Sequence, residues 1–114
     1  MIPLTNQNSN ETEYANPAAI SRVELTPKPS GDHALICYAR GHTIPVADYA
    51  AIAAVLGDGF KALTLADGPA VSVNVAHVVT IRSGGPGRCT LLMSNGGTFD
   101  VAGTTTDVVA AFEA

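Results

Sequence analysis

The chain has 114 residues and a mass of 11.6 kDa, enough for one domain or two very small ones. Apolar residues make up 46% and charged residues 14%, a mix that buries a core and excludes a disordered tail. Ten acidic against six basic side chains give a net charge of −4, which excludes binding nucleic acid or an anionic membrane through net charge.

Residues 1–10 have no basic start and no apolar stretch, so no signal peptide is expected and the cytosol is the expected location. No apolar run approaches the roughly 18–20 residues of a membrane span. Residues 1–5 open an apolar strand, and the Asn-rich stretch 6–10 stands in for a tight turn. Residues 27–32, with two prolines and a glycine, read as a central loop. Cys37 and Cys89 each sit in an apolar, strand-like run, where a free cysteine acts as a small hydrophobe. Asp48 caps a predicted helix that runs to Leu56 and stops at Gly57. Within it Tyr49, Ile52, Ala53 and Leu56 share one apolar face.

The second half has sharper punctuation. Residues 60–66 form a strand, Asp67-Gly68 is a hairpin turn, and residues 71–74 form the return strand. Residues 78–82, rich in β-branched side chains, are a third strand. A Gly-rich loop at 83–87 leads to a strand at 89–94, an Asn95-Gly96 turn and a strand at 98–101. Residues 104–107 offer N-caps for a helix over 108–113.

Set against itself, the chain repeats. Residues 14–24 align with 72–82, including Asn16 with Asn74; residues 1–5 align with 60–64, 40–47 with 95–102, and 51–55 with 108–112. The four blocks are collinear, and the offset changes only in loops or at element boundaries. The expected fold is therefore α+β: two pseudo-symmetric repeats, 1–59 and 60–114, each an antiparallel strand meander closed by a C-terminal helix. A unit of about 55 residues is marginal alone, so one fused domain with a shared core is expected. The edge strands of such meanders invite pairing, between the copies or with another chain.

The second copy resembles the small flagellar FlbD-type family. The residues that carry the resemblance are Leu63-Thr64, Asp67-Gly68, Val73-Asn74, the strand 77–81, the segment 91–96, Phe99-Asp100-Val101 and Asp107-Val108-Val109. It covers residues 60–113 well and 1–56 loosely, and implies a small non-enzymatic accessory protein. The present chain differs in being doubled and in lacking charged helix ends.

Chemistry is sparse. His33 and Cys37 lie four apart on a predicted strand, about 13 Å at roughly 3.3 Å per residue, too far to share a metal ion. His42, His77 and Cys89 form no ligand spacing, so neither a metal nor a cofactor is expected. No nucleophile elbow is present, and the acids sit at turns or helix starts, where capping explains them. The loop before Arg88 has backbone N–H groups suited to an anion but lacks the Lys-Ser/Thr ending of a P-loop. Arg40, His42 and Asn95 occupy equivalent hairpin tips. Glycine there is explained by positive φ, whereas Arg40 and His42 are free to meet a partner. His77, just before the third strand, reads as a packing or capping histidine. Tyr14, Tyr38 and Tyr49 give the first half amphipathic surface.

The reading this supports is a non-enzymatic protein-binding or assembly module, with a protein or itself as partner. A small inhibitor from a phage or mobile element is one form it takes. The alternative is a binder of a small anionic or nucleotide-like ligand, with a pocket at a seam and Arg40, His42, Arg88 and Asn95 as polar contacts.

Overall fold

In the first half, period-two burial builds the strands. Ile2 and Leu4 point inward from β1 (Ile2–Asn6), which pairs with β2 (Glu11–Ala15). Asn10, at φ 62°, turns the chain between them; asparagine tolerates that conformation better than most side chains. Asn16 then caps a 3-10 turn at Pro17–Ala19, its side chain accepting from the Ala18 N–H at 3.1 Å. There follow β3 (Ile20–Lys28), β4 (Gly31–Tyr38), β5 (Thr43–Val46) and the short helix α1 (Tyr49–Ala53). The structure, a computed structural model, describes residues 1–114.

The second half runs through β6 (Phe60–Thr64), β7 (Ala70–Asn74), a 3-10 turn at Val75–His77, β8 (Val78–Ser83), β9 (Arg88–Met93), β10 (Thr98–Ala102) and α2 (Thr105–Glu113). The order strand, strand, 3-10 turn, three strands, helix thus occurs twice. Asn74 caps the second 3-10 turn as Asn16 caps the first. The pairing β3·β4 skips a residue between Ile20 and Arg22, and β8·β9 skips one between Val78 and Thr80. A bulge of this kind bends the strand and increases its twist.

All strand pairing is antiparallel, in three sheets: β1-β2, β10-β9-β8 and β5-β4-β3-β7-β6. The largest crosses the midpoint of the chain, because β7 lies beside β3 with Arg22 opposite Val73, Val23 opposite Ser72 and Glu24 opposite Val71. The Gln7 N–H donates to Pro45 O on β5, and the Ala66 N–H donates to Asp100 O on β10. Each N-terminal hairpin thereby leans on the last strand of its own half.

Buried apolar side chains fall into two clusters. One holds Leu4, Ile20, Val23, Ile36 and Leu56 with their neighbours. The other holds Val71, Val73, Leu91, Met93, Val101 and Val108. Phe60, from the second half, packs on the first cluster. Polar contacts reinforce the joint: the Asn74 side-chain amide donates to Ile20 O at 3.0 Å, and the Tyr49 and Ser72 hydroxyls pair at 2.8 Å. His77 spans it too, with Nε2 2.6 Å from Ala18 O and Nδ1 2.8 Å from Ser94 Oγ. The Arg22 guanidinium lies 4.5 Å over the Phe99 ring.

Three expectations need correction. The helix expected from Asp48 through Leu56 ends at Ala53, because a tight i to i+3 turn (Val55 N–H to Ile52 O) swings Leu56 into the first cluster. The central loop expected at 27–32 is only the turn Pro29-Ser30, since β3 and β4 pair out to Lys28 and Gly31. Pro27 is tolerated there because β7 leaves β3 after Glu24, so no neighbour on that side needs its missing N–H. The last helix starts at Thr105 rather than 108, where Thr104 and Asp107 form a reciprocal capping box.

Candidate functional site

The four residues singled out for binding stay apart. Arg40 and His42 sit exposed on the β4–β5 tip, where the His42 ring stacks on Tyr38 with centroids 4.4 Å apart. Asn95 is exposed at the β9–β10 tip and uses Oδ1 to accept from the Gly97 N–H at 2.9 Å. Arg88 is at the opposite end of β9 and pairs with Asp100 at 3.6 Å. No hydrogen bond or ion pair joins any two of the four. The Gly-rich loop spends its groups on itself: Gly84 N–H donates to Arg88 O and Arg88 N–H to Gly85 O.

Both thiols are buried and unpaired. Cys37 is pushed up from 9.0 to about 11, first by burial and then by Glu24, whose carboxylate accepts its S–H at 3.6 Å; Arg22 opposes the rise. Burial likewise raises Cys89, with Asp107 adding to it, and its thiol donates to Gly103 O at 3.1 Å. A raised pKa suppresses the thiolate that nucleophilic chemistry needs. Neither sulfur has a histidine within hydrogen-bond reach.

A polar cleft of about 450 Å³ opens between β3 and the β6–β7 and β9–β10 regions, lined by Glu24, Asp67, Phe99 and Asp100 among others. Its acids are largely occupied. Glu24 pairs with Arg22 at 3.3 Å, and Asp100 takes both Arg88 and the Thr90 hydroxyl. No group of three His, Cys, Asp or Glu side chains is arranged to hold a metal ion.

The least satisfied surfaces are backbone edges. β2 pairs only with β1, and β8 only with β9, so each keeps one side open. Along the open side of β8 runs an apolar groove of about 410 Å³ lined by Val78, Val79, Thr80 and Ile81 and, from α2, Val109 and Phe112. Val79 is 59% exposed and Tyr14, on β2, is 68% exposed. Side-chain chemistry gives little signal for this region; the turn-delimited strand pattern is what locates it.

No protein-family model, no curated protein and no solved structure matches the chain. No helix is long and apolar enough to cross a membrane.

Proposed function

We propose that this protein is a non-enzymatic association module made of a duplicated five-strand-and-helix unit. It binds another protein chain by adding strands to its open edges. The observation that carries this reading is the coincidence of an unpaired strand edge and an apolar groove at β8. The inventory of reactive groups supports it. Both thiols are held protonated, His77 and His33 are tied into hydrogen bonds, Asp48 and Asp107 serve as helix caps, and Glu24 and Asp100 are ion-paired. The repeated element order, the paired asparagine caps and the paired bulges support the duplication.

Native mass spectrometry of gently purified protein tests the reading. Peaks at the chain mass or its integer multiples, unchanged in composition on denaturation, are expected. A small-molecule excess that disappears on denaturation replaces this reading with that of a ligand carrier.

A further inference from the structure

The joint between the two halves is itself a template. β7 and the asparagine cap after it dock on β3 and α1: Val23 faces Ser72, the Ser72 hydroxyl meets Tyr49, and the Asn74 amide reaches Ile20 O. The counterpart of β7 in the first half is β2, since Asn16 and Asn74 cap equivalent 3-10 turns. The counterpart of β3 in the second half is β8, since both begin just after that turn and carry the same bulge. Both counterparts are edge strands; of the other four edges, β1 and β5 are linked through Gln7 and Pro45, and β6 and β10 through Ala66 and Asp100. β2 and β8 do not meet within one chain.

We infer that β2 of one chain pairs antiparallel with β8 of the next, so that copies of this chain assemble head to tail. The inference rests on the association reading above and names the partner as a second copy. Carrying over the β3·β7 register sets Thr80 opposite the partner's Ala15, Ile81 opposite the partner's Tyr14, and Arg82 opposite the partner's Glu13.

Three features of the open surfaces suit that register. Arg82 and Glu13 carry opposite charges at directly facing positions, a favourable cross-strand pair. β2 pairing with another β2 instead juxtaposes glutamates, because Glu11 and Glu13 are both exposed. Size is complementary too. Inside the chain a tyrosine on the helix meets a serine on the strand. At the open joint the strand supplies Tyr14, while α2 begins with Thr105 and Thr106. Finally, the Asn16 amide nitrogen has no partner within the chain, whereas its counterpart Asn74 bonds across the joint.

Since β2 and β8 are different surfaces, the contact is heterologous. It repeats until a ring closes or a filament grows.

Charge reversal tests this on the full chain. Sedimentation velocity at micromolar concentration and low salt is expected to show wild-type assemblies of two or more chains. Glu13→Arg alone and Arg82→Glu alone each face like with like and are expected to sediment as single chains. Mixed in equal amounts, the two variants are expected to co-assemble, because every joint then pairs Arg with Glu. That rescue also shows both variants to be folded. Wild-type protein that stays a single chain without bound ligand overturns the inference and leaves the association reading standing with a different partner. Assemblies indifferent to both reversals also overturn it. A small-molecule excess in native mass spectrometry overturns the reading beneath it.

Discussion

The two halves share an order of elements but not a fate for their hairpins. The β6–β7 hairpin is absorbed into a five-stranded sheet through β3, and β7 is buried over most of its length. The β1–β2 hairpin remains a two-stranded ribbon, and four of the five β2 residues are exposed. Sequence follows environment. β7 reads Ala-Val-Ser-Val-Asn, with Val71 and Val73 fully buried, whereas β2 reads Glu-Thr-Glu-Tyr-Ala. The hairpin strand is thus apolar where it docks within the chain and charged where it faces outward. Charge on an open edge discourages indiscriminate pairing and leaves a selective partner possible.

The largest test of this comparison concerns the cores. Ile36 and Leu91 are fully buried at equivalent points, opposite Val23 and Ile81 respectively. Truncating either to alanine is expected to cost about 2–5 kcal/mol in denaturant unfolding. If the shared sheet couples the halves, Ile36→Ala lowers hydrogen-exchange protection in β9 as well as in β4. Protection lost only in β4 breaks the coupling.

The asparagine caps come next. Asn74 is buried and bonds both the Ala76 N–H and Ile20 O, so Asn74→Ala is expected to cost about 2–3 kcal/mol. Asn16→Ala removes only the local cap and is expected to cost about 1 kcal/mol in the single chain. Equal costs in thermal melts erase the asymmetry between the two joints.

The smallest effect is on alkaline stability. Cys37 titrates at about 11 when folded and at 9.0 ordinarily, so the folded state keeps a proton that the unfolded chain loses between those values. Stability from this group is complete below pH 9 and falls as pH rises toward 11, by on the order of 2 kcal/mol. Cys37→Ala is expected to flatten most of that decline in urea melts across the window, with Cys89 leaving a residue of the same sign. An unchanged slope removes Cys37 as its source.

Much of the local structure is legible in the residues. Asp67-Gly68 and Asn95-Gly96 mark hairpins because Gly68 and Gly96 adopt positive φ, and alternating apolar residues mark the strands between them. Cys37 and Cys89 fall inside apolar runs and are buried. The β3·β7 pairing is not legible, since a strand's pattern fixes which face is apolar but not which distant edge it meets. The same limit hides the candidate surface. Arg40, His42, Arg88 and Asn95 stand out by side-chain chemistry, whereas an open edge is defined by a neighbour that is missing. His77 shows the limit at one residue: its place before β8 suggests packing or capping, but its bond to Ala18 O depends on how the halves come together.

The β3·β7 contact also sets an order of events during synthesis. Val23 waits for Ser72, so the first half emerges from the ribosome with one side of its longest strand bare. Pairing across that separation is slow compared with closing a local hairpin. The interval before β7 arrives is when the nascent chain is most open to mispairing, and the short connection 54–59 between α1 and β6 limits it.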